Sequence, residues 1–394
     1  MKRILLATVA SAALAGTAGA EDVKLGVIFG FTGPLESITP TMAESAELAM
    51  SEVAASGAFL GGSTVTPVRA DSTCVDATAA TAAAERLVSA EGVKAIIGAD
   101  CSGVTSAILQ NVSRPNGIVQ ISPSSTSPGL SQVEDDGLFF RTAPSDARQG
   151  QVMADIISER GITSAAVTYT NNDYGNGLAN SFAEAFRAKG GEVTMQAAHD
   201  DGKADYSAEI AALSSAGGEI LVVAGYVDQG GRGIVQGALD TGAFDTFFFP
   251  DGMYGDTLLN AFGSDLEGSF GDLPAAEGDN AALFQQIASD AGFDGTSSYA
   301  GESYDAAALV LLAMQAAGSS DPAQFKDRMF DVANAPGEQI HPGELDKALR
   351  LLSEGQDIDY VGATGVELIE PGESQGTFRE YNIVDGAYET IGFR

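Results

Sequence analysis

Residues 93–103, Val-Lys-Ala-Ile-Ile-Gly-Ala-Asp-Cys-Ser-Gly, and residues 118–128, Ile-Val-Gln-Ile-Ser-Pro-Ser-Ser-Thr-Ser-Pro, share one pattern: a short apolar run that ends in hydroxyls. Short apolar runs bounded by Gly and Pro read as strands buried on both faces, as in a parallel sheet. In an open parallel sheet, the segments just past the carboxyl ends of the strands line the ligand crevice. Two neighbouring strands of this kind present hydroxyls and backbone N–H groups side by side, which suits a small anion such as a carboxylate. Ser, Pro and Gly also make ordinary turns, so the rest of the chain must decide.

Outward from these segments, strand and helix patterns alternate. Strands are expected at 23–29, 64–70, 94–98, 118–121, 165–169, 193–197, 220–224 and 246–249. Helices are expected between them, at 42–55, 77–90, 104–112, 149–159, 178–188, 208–215 and 234–239. Gly57, Gly92, Gly161, Gly190 and Gly217 stand where helices end. Such alternation implies βαβ units and parallel sheets. The rhythm breaks at 139–144 and at 270–278; helices follow at 281–291, 304–316, 322–332 and 344–353, then a final strand pair at 376–384 and 387–393. The expected fold is α/β: two doubly wound parallel-sheet lobes joined by a three-strand hinge. Residues 21–143 with 275–380 form lobe 1, and 144–274 with 381–394 form lobe 2.

The N-terminus, Met1-Lys2-Arg3, an apolar run over 4–14 and Ala18-Gly19-Ala20, has the layout of a cleavable signal peptide over residues 1–20. The mature chain then starts at Glu21 and resides in the periplasm. No later run is long and apolar enough for a membrane span. Formal charge is −34, and a surface this acidic repels nucleic acid and anionic lipid. Neither is an expected partner, and a monomer is expected. In an exported chain the isolated pair Cys74 and Cys101 reads as a disulfide ahead of a metal or catalytic site. Each ends a strand-like run, and adjacent parallel strands would bring them together.

Catalysis finds little in the residues. His199 and His341 fall in patterns that read as exposed turns, and no Gly-x-Ser-x-Gly elbow, phosphate loop or zinc-spaced cluster occurs. Asp200-Asp201-Gly202 with Asp205 lacks the alternating ligands of a calcium loop and reads as solvated. No cofactor, metal or enzyme activity is expected.

An ordered set of motifs carries a resemblance. Val-Lys-Leu-Gly-Val-Ile-Phe-Gly-Phe-Thr-Gly-Pro at 23–34, Cys101-Ser102, the run 122–128, Phe140-Arg141-Thr142, Asn-Asp-Tyr-Gly-Asn-Gly at 172–177 and Asp205-Tyr206-Ser207 resemble type 1 periplasmic binding proteins of the leucine/isoleucine/valine class. The resemblance spans the mature chain and implies a two-lobed receptor that delivers its solute to an ABC permease. It also implies roles. Ser102, the backbone around Ser124 and Ser125, and Thr126 would hold a ligand carboxylate. Tyr174, Tyr226 and Asp251 would face them from the other lobe, Asp251 pairing with an α-ammonium and Tyr299 lining the side-chain pocket. The Cys74–Cys101 pair matches a disulfide of leucine-type members. Two departures appear: Asp100 replaces an apolar residue, and Glu36 with Ile38 replaces an aromatic contact. An unpaired carboxylate in the wall would disfavour an aliphatic side chain. A small carboxylate solute, an amino acid of branched-chain type or a more polar one, is expected. A periplasmic sensor of the same fold, for amides or other small acids, that signals to a regulator is the alternative.

Overall fold

The structure is a computed structural model that describes residues 20–394. The signal-peptide expectation falls on residues 1–20 and, apart from Ala20, lies outside the described residues.

The first sheet opens with β1 (Asp22–Phe29), β2 (Thr64–Asp71), β3 (Ala95–Gly98), β4 (Val119–Ser122) and β5 (Phe139–Arg141). The second is built on β6 (Ser164–Thr170), β7 (Glu192–His199), β8 (Ile220–Ala224), β9 (Phe247–Phe249) and β10 (Phe270–Pro274). Later come β11 (Glu338–Ile340), β12 (Ile358–Tyr360), β13 (Leu368–Ile369), β14 (Glu373–Ser374), β15 (Phe378–Val384) and β16 (Ala387–Phe393). Strand order is β13-β14-β5-β4-β3-β1-β2 in one sheet and β16-β15-β10-β9-β8-β6-β7 in the other; β11 and β12 pair separately.

The two sheets repeat one plan. The chain lays its second strand to one side of the first, then reverses and adds the rest on the other side. That reversal, at β1/β3 and again at β6/β8, is the switch point where a crevice opens beyond the strand ends. β3 and β4 are direct parallel neighbours, so the two hydroxyl-rich segments do lie side by side. The lobes are parallel at their centres with antiparallel edges, through β13–β14 and through β10–β15–β16. β15 pairs from its first residue, Phe378 opposite Pro274, so the second sheet resumes at 378 and not at the expected 381.

Three strands of chain cross between the lobes, at 142–145, 275–278 and 375–377. Thr377 Oγ1 donates to the Ala275 carbonyl at 2.6 Å, and Ala275 N–H to the Thr377 carbonyl at 3.0 Å. Gly376 has φ +57°, and a Cβ there would stand 2.7 Å from the Pro144 ring. Only glycine lets the crossings pack this closely.

Helix Ala300–Ala317 is buried along nearly its whole length and packs against helix Thr39–Ser56. Its middle, Ala306–Met314, is apolar on all faces, as expected of a helix that no face exposes to water. Helix Asp173–Ala188 starts five residues earlier than its expected 178, because a polar cap precedes the apolar stripe. Asn172 accepts from Gly175 N–H at 3.0 Å and starts helix Asp173–Ala188, which places Tyr174 in its first turn.

Candidate functional site

A narrow cavity lies between the lobes at both switch points. The first lobe contributes Ser102 and Ser124 from the loops after β3 and β4, and an apolar wall of Leu35, Ile38 and Met42. The second lobe contributes Tyr174, Tyr226, Asp251 and Gly252.

The loop after β4 is tied down by the hydroxyls that the sequence displays. Ser122 Oγ donates to the Ala99 carbonyl at 2.6 Å and accepts from Ser125 N–H at 2.9 Å. Ser125 Oγ sits 2.6 Å from Thr105 Oγ1, so its side chain turns inward and away from the cavity. Ser124 Oγ donates to the Asp100 carbonyl at 2.9 Å. Ser102 Oγ accepts from Ser127 N–H at 3.1 Å, which leaves its own O–H free to donate. Thr126 is fully buried, and its hydroxyl faces Asp146 without closing a hydrogen bond to it.

Arg141 had no role assigned from sequence. Its guanidinium donates to the Ser125 and Ser127 carbonyls at 3.1 and 3.0 Å and pairs with Glu373. It is the strut beneath residues 125–127. The signal was the Phe140-Arg141-Thr142 motif itself, since a basic residue at the end of a buried strand requires partners.

Cys74 and Cys101 form the expected disulfide. The route differs from expectation: β2 and β3 are not neighbours, because β1 runs between them. The Cys74 loop crosses the end of β1 at Gly30, where a Cβ would stand 3.1 Å from Cys74 and 2.9 Å from Asp100 Oδ2. Glycine at position 30 makes that crossing possible.

Asp100 lines the cavity but is not an unpaired wall charge. Oδ1 accepts from Ser72 Oγ at 2.8 Å, and the backbone amides of Gly30 and Cys101 offset part of the burial that raises its pKa. The cost that sequence reasoning assigned to an aliphatic ligand is met by these donors. Cys74, Asp100 and Cys101 also cluster, yet both sulfurs are held in the disulfide and offer no thiolate to a metal.

Across the cavity, Asp251 accepts from Tyr174 OH at 3.1 Å, from Gln149 Nε2 at 2.9 Å and from Tyr299 OH at 2.7 Å. Burial raises its pKa, and these donors oppose the rise. Tyr174 stacks on Tyr226 with centroids 5.2 Å apart, and Asn172 Nδ2 donates to Tyr226 OH at 3.1 Å. Gly252 is required beside them, since a Cβ would come 2.8 Å from Tyr174 OH and 2.5 Å from the Gly225 carbonyl. Tyr299, from the first lobe, holds φ +60° and lines the cavity from its position before helix Ala300–Ala317.

Sequence reasoning missed the groups behind Asp251. Gln149 Nε2 also reaches Asp272 Oδ1 at 3.3 Å, and Asp146 lies near with neither oxygen bonded. Burial is the main reason the pKa values of Asp146 and Asp272 stand well above the usual carboxylate range, and each is raised further by Asp251. A cation placed against Asp251 would favour the ionised form of these groups and so oppose the rise.

His199 corrects another expectation: it is buried, its Nδ1 lies 2.8 Å from Thr168 Oγ1, and burial lowers its pKa to about 4. It is a neutral core group. His341 is half-buried against Asn280, 2.9 Å away. Asp200, Gly202 and Asp205 are exposed, as expected of a solvated loop, while Asp201 is half-buried and accepts from Thr170 Oγ1 and Gly230 N–H.

The periplasmic binding protein family profile matches residues 22–337. The Leu/Ile/Val-binding protein homolog 1 of Brucella melitensis is 32% identical over 337 residues, covering 84% of this chain and 88% of its own. Among solved structures, a leucine binding protein from Thermotoga maritima superposes with TM-score 0.79 at 23% identity, covering 94% of this chain and 98% of that one. A solute binding protein of an ABC transporter from R. palustris, solved with benzoate, gives TM-score 0.75 at 18% identity over 95% and 96% of the two chains. No helix among the described residues is long and apolar enough to cross a membrane. A two-lobed α/β fold with a closed interlobe cavity and a family match over most of its length thus has one assignment: the chain belongs to the periplasmic binding protein family.

Proposed function

We propose that this protein is an exported solute-binding protein that captures an amino acid with an apolar side chain between its lobes and delivers it to an ABC permease. The observation that carries this reading is Asp251 on one wall of a closed cavity that has Ser102 and Ser124 on the other. The free O–H of Ser102 and the backbone around Ser124 would serve a carboxylate. Asp251 would serve an ammonium. Leu35, Ile38 and Met42 would bury an aliphatic side chain, at about 25 cal/mol per Å² of apolar surface removed from water. The Brucella and Thermotoga relatives are named for such ligands, and family membership supports the transport role.

Calorimetric titration of ligand-stripped protein with L-leucine, 4-methylpentanoate and benzoate tests the reading. L-Leucine should bind at one site, and far more tightly than 4-methylpentanoate, its deaminated analogue. Benzoate binding in preference to every amino acid tried would replace the substrate class with aromatic acids.

A further inference from the structure

Tyr299 lines a second cavity as well as the cleft. This one lies at the hinge and has a volume of about 60 Å³. Its walls come from both lobes: Leu273 and Arg379 belong to paired strands of the second sheet, while Ser298 and Glu302 belong to the first lobe.

Its polar groups are unusual. Arg379 stands over the Tyr254 ring, with Cζ 4.9 Å from the centroid, and its Nε and Nη2 are buried with no hydrogen-bond partner. Arg379 forms no ion pair among the described residues, although the chain has 54 acidic residues to 20 basic ones. Ser298 is 3% exposed, and its hydroxyl is likewise buried and unbonded. Glu302 completes the wall. Burial raises its pKa to about 8, so at neutral pH it is a hydrogen-bond donor and not a competing anion. The Nε–Nη2 edge of a guanidinium matches the two oxygens of a planar oxyanion.

We propose that the hinge cavity is a second binding site, for one small oxyanion such as a carboxylate or inorganic phosphate, gripped by the Nε–Nη2 edge of Arg379 and the Ser298 hydroxyl. The anion joins the second sheet to the first lobe and therefore favours the closed arrangement. By linkage it also tightens the cleft for whatever solute the cleft takes. The proposal is independent of that solute's identity.

Titration calorimetry at constant ionic strength, with sodium phosphate in one series and sodium acetate in the other, tests it on the ligand-stripped protein. Saturable one-to-one binding of at least one anion is expected, and the series that saturates identifies the source. Arg379→Gln should weaken that binding at least tenfold and Ser298→Ala several-fold, while Arg148→Gln on the exposed surface leaves it unchanged. Circular dichroism checks the fold of each variant; if Arg379→Gln is misfolded, Ser298→Ala decides. Absence of saturable binding of both anions, or equal binding by wild type and the deciding variant, overturns the proposal.

Discussion

Tyr299 OH donates to Asp251 Oδ2 at 2.7 Å, and this bond runs from the first lobe to the second across the cleft. Few other bonds link the lobes away from the hinge. Ser37 N–H donates to Asp228 Oδ2 at 2.9 Å, and Asp228 N–H to the Pro34 carbonyl at 3.1 Å. Closure thus rests on a small set of polar contacts, which a ligand in the cavity can reinforce.

Tyr299→Phe deletes the latch and keeps the ring. A hydrogen bond to a charged group contributes about 1.5–3 kcal/mol, so the ratio of closed to open protein should fall tenfold or more. Small-angle scattering should show a larger radius of gyration for the variant at equal concentrations of L-leucine. Superimposable curves for the two proteins would assign closure to other contacts.

Arg141→Met should destabilise the protein by about 3–5 kcal/mol, because Glu373 and two loop carbonyls lose a buried cation. Urea unfolding measures this. A loss below 1 kcal/mol would mean that the loop at 125–127 is held by Ser122 and Ser102 alone.

Glu302 gives a prediction in pH. Its folded pKa is about 8 against 4.5 when exposed, so the folded state binds the proton more tightly. Stability is unaffected by this group at low pH and falls as pH rises from about 4.5 to 8. Asp305, raised to about 6 by burial, adds to the lower part of that window, and Arg379 opposes the shift at Glu302. Glu302→Gln should therefore gain melting temperature relative to wild type as pH rises from 5 to 8. A constant difference across that range would show that Glu302 is not protonated in the folded state.

The Cys74–Cys101 bond closes a sequence separation of 27 residues, which in the chain-entropy model corresponds to about 3–4 kcal/mol. Reduction should lower the urea midpoint accordingly. It should also weaken cleft binding, since Cys101 immediately precedes Ser102. Reduction without effect on either would make the bond ornamental to the site.

The repeated βα rhythm made the two lobes legible, because buried parallel strands are short apolar runs and helices end at glycine. The strands β11 to β14 were missed: they are two or three residues long and carry no periodicity. The cleft residues were legible where motifs carry them, as with Ser102, Tyr174 and Asp251. Gln149, Asp146 and Asp272 were not, because each sits in ordinary helix or strand sequence and only the packing of separated elements buries them together. The Cys74 route failed for a related reason. Strand order decides which loop ends meet, and local sequence does not encode the β3-β1-β2 order.

Asp251 offers the decisive test of the substrate class. In the proposed complex a ligand ammonium would lie against its carboxylate. Asp251→Asn keeps the shape of the side chain and much of its hydrogen bonding but removes the charge. A buried ammonium would then lack its counter-ion, at a cost of roughly 2–5 kcal/mol. L-Leucine affinity should fall by a hundredfold or more, while 4-methylpentanoate, which has no ammonium, should bind about as it does to the wild type. The wild type should also lose L-leucine affinity as pH falls. Burial raises the Asp251 pKa, and a protonated Asp251 must release its proton before it can pair with a cation. That pH dependence should vanish in the variant. If Asp251→Asn binds L-leucine normally, or if both ligands lose affinity equally, the ammonium is not recognised by Asp251 and the amino-acid reading falls.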